Sequence, residues 1–183
     1  NSELSLTEST GETGVLFANY TVQNLQQQLR EAVSGEVLGV DGDLSFLSQV
    51  GVRTQSDGTL SVDEGSISSA IANNISNVTQ LFSSSGRSSS SAVTFVGFSD
   101  NTVQGGYQVR VSGGVVQLAA SGSNTFVDAV GNGNFYAGAP GTDAEGLNFR
   151  IADLADGDYG TLPLSVGVAQ TTNRILAKLT DAS

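Results

Sequence analysis

The sequence predicts an α+β fold: a helical head domain that contains a β-hairpin, an inserted antiparallel β-rich domain that is sandwich- or barrel-like, and a returning C-terminal helix. Apolar residues recur at helical spacing in the first part of the chain and again beyond Ala169. Between residues 93 and 166 they alternate with polar residues, and Gly-rich turns separate the runs. Because helical spacing gives way to alternation and then returns near the C-terminus, the pattern indicates that the β-rich part is an insertion into a helical domain.

The helical head domain is expected over residues 1–85, with residues 1–14 as a frayed end or the end of an upstream domain. Thr21 is predicted as the N-cap of a first helix, and Gly35 as its C-terminal stop. The apolar face of this helix consists of Val22, Leu25, Leu29 and Val33. A short apolar cluster after it predicts one further helical turn; it consists of Leu44, Phe46, Leu47 and Val50.

A β-hairpin is predicted over residues 52–62, because Asp57-Gly58 supplies the positive φ that a tight turn requires. Asp63 is the predicted N-cap of a second helix, and Glu64 lies where the helix dipole favours an acidic residue. Asn73-Asn74 is expected to interrupt this helix, which restarts at Ser76 or Asn77. The residues predicted as core in the two helices are Val22, Leu25, Leu29, Leu81 and Phe82.

The second half of the chain divides into three predicted parts. Residues 86–92 form a Ser-rich linker, residues 93–166 the inserted β domain, and residues 167–183 the start of a C-terminal helix. Strands are predicted at 93–98, 107–111, 115–118, around Phe126, at 135–136, 147–151 and 162–166.

The composition excludes several classes of chemistry. The 183 residues include no His, Cys, Met or Trp, which rules out thiolate or His-based nucleophilic catalysis, Cys/His zinc sites, disulfides and haem ligation within this chain. The net charge of -11, with seven Lys and Arg residues, argues against a nucleic-acid surface. No apolar run reaches the length of about 20 residues that crosses a bilayer, so we expect no membrane partner.

The acidic residues in DLADGDYG are the best candidates for a metal site. They are Asp153, Asp156 and Asp158. Counted from Asp156 as a calcium loop, however, Gly160 and Gly167 stand where oxygen ligands are needed, so a solvated turn is the favoured interpretation. Asp41-Gly42-Asp43 is interpreted as the cap of the next helical turn.

Other polar features have local explanations. Arg30, Arg53 and Arg174 are isolated in the sequence, and each is interpreted as a salt-bridge partner of a neighbouring residue. Asn-x-Ser/Thr sequons begin at Asn19, Asn74 and Asn77, and are interpreted as chance occurrences. The sequence therefore assigns no catalytic, cofactor-binding or metal-binding residue, and we expect no cofactor.

Three ordered segments within residues 14–86 carry a more specific signal. They are VLFANYTVQNLQQQLREAV, LSFLSQVGVRTQSDGTLSVDE and ISSAIANNISNVTQLFSSSG. Together they resemble the C-terminal region of bacterial flagellar cap proteins, also called hook-associated protein 2 or filament-capping proteins. The middle segment is the most specific, because it is similar to the family's Asp-Gly-Thr-Leu and hydrophobic-Asp-Glu signature. The matching residues are Gly51, Thr54, Asp57, Gly58, Thr59, Leu60 and Asp63.

Two later segments resemble the family less specifically. VTFVGFSDNTVQGGYQVRV is similar to a strand pattern of members with a longer β insertion, and SVGVAQTTNRILAKLTD resembles the start of the family's long C-terminal helix. The sequence departs from the family at Gln23, where Arg is usual, at Asn19-Tyr20, which replaces Gly-Asp, and at Ile75, where Pro is usual.

The resemblance implies a structural protein and not an enzyme. Cap proteins are secreted through the flagellar export apparatus and form a ring-like homo-oligomer at the filament tip, where they retain flagellin and promote its polymerisation. The chain would be a fragment that lacks most of the terminal coiled-coil legs. Its implied partners are flagellin, the filament tip, other copies of itself and, through the outer β domain, surface glycans of a host or the environment. The implied location is extracellular.

A secreted adhesin or glycan-binding β module without a role in flagellar assembly is the alternative. Such a protein would concentrate its determinants in the loops near Asn124 and at residues 132–136. A cap subunit instead needs the hairpin region, residues 51–62, packed against neighbouring subunits or the legs.

Overall fold

The structure is a computed structural model that describes residues 20–40 and 42–181. The predicted end segment at 1–14, the sequon that begins at Asn19 and the residue Asp41 lie outside the described residues. Within them the chain is α+β, as predicted.

Three α-helices and one 3₁₀ turn lie in the described part of the chain. They are α1 (Tyr20–Ser34), the 3₁₀ turn Leu47–Val50, α2 (Glu64–Phe82) and α3 (Val168–Asp181). The predicted stop at Gly35 is confirmed, and its N–H donates to the Glu31 carbonyl at 2.7 Å. Thr21 is not an N-cap, because the helix already includes Tyr20.

The predicted hairpin is confirmed as β1 (Val52–Thr54) and β2 (Leu60–Val62), which pair in an antiparallel register. Gly58 adopts φ +82° at the turn, a value that glycine reaches without steric cost. The backbone N–H of Thr59 donates to Asp57 Oδ1 at 2.9 Å, so the aspartate side chain fixes the turn from within.

Helix α2 begins and breaks where the sequence predicts. Asp63 accepts a hydrogen bond from the Ser66 N–H at 2.9 Å, which makes it the N-cap. The helix is interrupted at Asn74, whose backbone has φ -156° and ψ 75°. Asn74 Oδ1 accepts from the Asn77 N–H at 3.1 Å, so Asn74 itself caps the restarted helix in place of Ser76 or Asn77.

The nine strands between α2 and α3 form two antiparallel sheets in the described part of the chain, with no closed barrel. One sheet has the order β4-β10-β9-β8 and the other β3-β11-β5-β6-β7. The strands are β3 (Ser84–Gly86), β4 (Val93–Gly97), β5 (Gly105–Ser112), β6 (Val115–Ala120), β7 (Val127–Asp128), β8 (Val130–Asn132), β9 (Phe135–Ala137), β10 (Asn148–Ile151) and β11 (Gly157–Val166). The sandwich-like arrangement is therefore the one adopted, and below it is called the β-sandwich.

Alternating side chains of both sheets meet in one core. Phe149 and Ile151 come from the first sheet, and Tyr107, Leu162 and Leu164 from the second; all are buried. This alternation is the one that predicted the strands.

A second core lies in the helical part, and it differs from the prediction. Leu81 is fully buried there, together with Val50, which was assigned to the short helical turn. Val22, Leu25 and Leu29 are only half-buried, because the described part of α1 has packing partners along a limited part of its surface.

The Ser-rich segment expected as a linker over residues 86–92 is hydrogen-bonded to the sheet. Gly86 ends β3, which pairs with β11. The Ser89 N–H donates to the Thr161 carbonyl at 2.9 Å, and the Thr161 N–H donates to Ser89 Oγ at 2.8 Å. Serine-rich composition is shared by linkers and by polar edge strands, so composition alone does not separate the two.

Candidate assembly surface

Helices α1 and α3 pack against each other as an antiparallel pair. Gly35 and Val37, which follow the C-terminal end of α1, line one groove with Val168, the first residue of α3. Gln28, about two turns before Gly35, and Ile175, about two turns after Val168, line the same groove, so the two helices run antiparallel. The Tyr20 end of α1 and the Asp181 end of α3 therefore lie at the same end of the helix pair.

This helix pair keeps apolar side chains in partial contact with solvent. Val22, Leu25 and Leu29 on α1 are half-buried, and Leu176 on α3 is 46% exposed. Apolar residues that remain accessible along a helix pair can be covered by a further helix or another chain.

A cavity of about 280 Å³ separates α1 from the hairpin; we call it the hairpin groove. Its apolar lining includes Leu29, Val33 and Leu60, and Leu60 is 54% exposed. Arg30 and Asp57 supply one charge of each sign to the lining. Two hydrogen bonds from Thr59, through its hydroxyl and its N–H, hold the pKa of Asp57 below its usual value.

A second exposed apolar feature flanks the break in α2. Ile71 is 43% exposed and Ile75 is 64% exposed, and they lie four residues apart in the chain, on either side of the break at Asn74. We call them the isoleucine pair. Sequence reasoning missed both this pair and the exposure of Leu60, because periodicity identifies an apolar face without showing what covers it.

Close backbone contacts fix the β-sandwich to the helical part. Ser165 Oγ is buried and donates to the Gln80 carbonyl at 2.9 Å, which links β11 to α2. Gly167 lies against the backbone of Phe82, where an added Cβ would be only 2.5 Å from the Phe82 carbonyl carbon. These contacts set the direction of the β-sandwich relative to the helix pair.

Arg174 forms an ion pair, with its Nε 3.3 Å from Asp100 Oδ1, but this partner lies 74 residues away in the chain and is not the sequence neighbour that was predicted. Arg30 is exposed and lies in the hairpin groove. Arg53 is also exposed, and its positive charge is a minor cause of the lowered pKa of Asp63. That pKa lies below its usual value chiefly because the Ser66 N–H and hydroxyl donate to the carboxylate.

The three acidic residues considered for a metal site have separate local roles. Asp156 accepts from the Gly113 N–H at 2.9 Å and the Gly114 N–H at 3.0 Å, which closes the β5–β6 turn. Asp153 Oδ1 accepts from the Ala155 N–H at 2.9 Å, and Asp158 stands opposite Arg110 in the sheet. In the described ranges no group of three or more acidic residues is arranged to hold a metal ion.

The loops that an adhesin would use carry exposed aromatic and cationic groups. Phe135 is 48% exposed, and the Arg150 guanidinium carbon lies 4.0 Å from its ring centroid. Near Asn124, the half-buried Arg110 stacks on the half-buried Phe126, with its guanidinium carbon 3.6 Å from the ring centroid. The cavity beside this loop has a volume of about 140 Å³, below the roughly 300 Å³ at which typical ligand pockets begin.

Comparisons with known proteins identify one family. The family model of the flagellar hook-associated protein 2 C-terminus matches residues 1–132, which include α1, the hairpin, α2 and the first part of the β-sandwich. Neither the curated proteins nor the solved structures give a match. Within the described ranges, no helix combines the length and apolar character needed to span a membrane.

Proposed function

The chain belongs to the flagellar hook-associated protein 2 family, a family of structural flagellar cap proteins, and we propose that it caps the filament tip, retains exported flagellin and promotes flagellin polymerisation. The family match over residues 1–132 is the observation that carries this proposal. The matched region contains the Asp57-Gly58 turn, the Asp63 cap and helix α2, in the same order as the sequence segments that resemble the family.

The geometry of the helix pair supports a role in assembly. Because α1 and α3 are antiparallel, chain segments that continue from their outer ends would extend side by side as a coiled-coil leg. In such a leg the half-buried face of α1 and the exposed Leu176 would gain partners.

We assign contacts between neighbouring copies, or with flagellin, to the hairpin groove and the isoleucine pair. Leu60 and Ile75 are the most exposed apolar residues of these two features. The Asp57-fixed turn holds Leu60 in place, so little conformational entropy would be lost when a partner covers it. A ring of copies would remove both features from water.

The subunit is proposed to reach the tip through the flagellar export apparatus. A chain threaded unfolded through a narrow channel is compatible with the complete lack of cysteine. The β-sandwich would then face outward, and the net charge of -11 would keep this extracellular surface solvated.

A deletion and rescue experiment tests the proposal. The gene is deleted from the source strain, and the full-length protein is then expressed in the deletion strain. Filament length and the amount of flagellin released into the medium are measured. We expect short or missing filaments and released flagellin in the deletion strain, and we expect the full-length protein to reverse both effects. Normal filaments in the deletion strain would overturn it.

The adhesin alternative is judged in the same strains. Loss of surface attachment with normal filament length would favour a secreted adhesin or glycan-binding module. The cavity beside the Asn124 loop has a volume of only about 140 Å³, which is small for a glycan site, so we prefer the cap function.

A further inference from the structure

The chain has a single Asn-Gly dipeptide, Asn132-Gly133, and it lies at the β8–β9 turn. Asn132 ends β8 and pairs with Phe135 in β9, so Gly133 and Asn134 form a two-residue hairpin loop. Gly133 has φ +59°, as the first central position of a type II′ turn requires. We propose that Asn132 is a site of spontaneous deamidation, which adds a negative charge to the outer edge of the β-sandwich.

The reaction requires water and no enzyme. The backbone nitrogen of Gly133 attacks Cγ of Asn132; the N–Cγ bond forms, the Cγ–Nδ2 bond breaks, and ammonia leaves with the proton of the attacking amide. Water then adds to either carbonyl carbon of the cyclic imide and opens the ring. The products are aspartate, or isoaspartate if the former backbone carbonyl is attacked. Glycine favours the ring closure because it places no side chain beside the attacking nitrogen.

The surroundings of Asn132 leave the reacting atoms free. Both Asn132 and Gly133 are exposed. Among the described residues, none forms a hydrogen bond with the Asn132 side chain, and the Gly133 N–H donates none. No heavy atom lies within 4 Å of the position that a Gly133 Cβ would occupy, apart from its chain neighbours.

The Asp-Gly pairs in the described part of the chain provide the contrast, since the same ring closure would isomerise aspartate. Asp57 Oδ1 accepts from the Thr59 N–H at 2.9 Å and the Thr59 hydroxyl at 2.7 Å. The Gly58 N–H is also engaged, at 2.9 Å from the Gln55 carbonyl. In Asp156-Gly157, each carboxylate oxygen accepts a backbone N–H. These hydrogen bonds restrain both aspartates, whereas Asn132 has no equivalent restraint.

The product would alter a defined row of side chains. Asn132 stands opposite Phe135, and Phe135 opposite Arg150, across strands β8, β9 and β10. All three residues are exposed, and the Arg150 guanidinium covers the Phe135 ring. Aspartate adds a carboxylate to this row, and isoaspartate also lengthens the backbone of the edge strand β8 by one methylene. The surface chemistry of the β-sandwich would therefore change as the protein ages.

Peptide mapping by mass spectrometry tests the proposal. The full-length folded protein and a chemically denatured sample are aged together in mildly alkaline buffer, and fragmentation of the peptides distinguishes aspartate from isoaspartate. We expect Asn132 to convert in the folded protein at a rate within about tenfold of the denatured one, equivalent to about 1.4 kcal/mol of activation free energy. Asp57 and Asp156 should isomerise more slowly when folded than when denatured.

Two variants separate the site from its neighbour. Asn132→Gln should abolish the conversion in this peptide, because the longer side chain closes its ring far more slowly, and Asn134→Gln should leave it unchanged. Retention of the Asn132 amide in the folded protein while the denatured protein converts would overturn the proposal. Conversion that persists in Asn132→Gln would overturn it too.

Discussion

Arg174 in α3 donates a hydrogen bond from Nη2 to the carbonyl oxygen of Ser99 at 2.8 Å, although 75 residues separate the two in the chain. Its Nη1 also donates to the Thr102 carbonyl at 3.1 Å. The side chain of Arg174 is 17% exposed and that of its ionic partner Asp100 is 80% exposed. The two carbonyls, more than the carboxylate, therefore connect the C-terminal helix to the loop that follows β4.

Arg174→Ala is expected to lower the free energy of unfolding by about 1.5–3 kcal/mol, the usual contribution of a hydrogen bond to a charged group. The substitution leaves the carbonyls of Ser99 and Thr102 without this donor. Asp100→Ala should cost about 0–1 kcal/mol, since exposed ion pairs contribute little. Urea unfolding measures both, and faster hydrogen exchange in residues 98–103 should accompany the first. Equal effects of the two variants would contradict this assignment.

Gly167→Ala is expected to destabilise the contact between the end of α2 and the junction of β11 with α3 by about 1–3 kcal/mol, as overpacking usually does. An added Cβ would lie 2.5 Å from the carbonyl carbon of Phe82, so backbone must move to admit it. Gly97→Ala is the matched control, because no atom lies within 4 Å of its Cβ position. Thermal unfolding of both variants measures the difference. A Gly167→Ala protein as stable as Gly97→Ala would show that the contact is not close-packed.

Asp156→Asn tests the pH dependence of the β5–β6 turn. The N–H groups of Gly114 and Gly113 lower the pKa of Asp156 below its ordinary value of 3.8. Its folded pKa is thus below its unfolded pKa, and its stabilising effect is present above the unfolded value and is lost as the pH falls through the folded value. We expect Asp156→Asn to be less stable than the parent at neutral pH, with the difference vanishing in strong acid.

Urea unfolding at a series of pH values measures that difference. Asp43→Asn serves as the control, because Asp43 is exposed and its position lies outside the turn. If the free energies of unfolding of Asp156→Asn and the parent differed by the same amount from neutral pH down to strong acid, the role of the ionised carboxylate would be contradicted.

Substitutions in the hairpin groove and the isoleucine pair should impair filament assembly without impairing folding. Leu60→Thr and Ile75→Gln exchange exposed apolar side chains for polar ones, so stability should change by only about 0.5 kcal/mol. Leu81→Ala empties a fully buried position and should cost about 2–5 kcal/mol. In the rescue experiment we expect shorter filaments from the first two variants in spite of normal folding. Full rescue by both would remove these features from the contact surface.

Local features of the sequence predicted local structure well. Asp57-Gly58 fixed the position of the hairpin because the turn chemistry is contained within a few residues. Asp63 and Asn74 marked the start and the break of α2, since each caps the backbone through its own side chain. Alternation located seven of the nine strands of the β-sandwich.

Features that depend on distant partners were not predictable in the same way. Strand β3 (Ser84–Gly86) exists because β11, about 80 residues further on, hydrogen-bonds to it. The half-burial of Leu29 depends on how much of α1 other elements cover. Exposure of Leu60 and Ile75 is likewise a property of the packed molecule, and the turn chemistry that located the hairpin carried no information about it.

The location of the full-length protein on intact flagella tests the central claim most directly. Gold-labelled antibody against the β-sandwich, combined with electron microscopy of filament ends, records where the protein lies and whether it forms a ring. A cap subunit should appear only at the distal tip, as a closed ring that disappears in the deletion strain. Label distributed along the filament or over the cell surface, with no ring at the tip, would contradict the account.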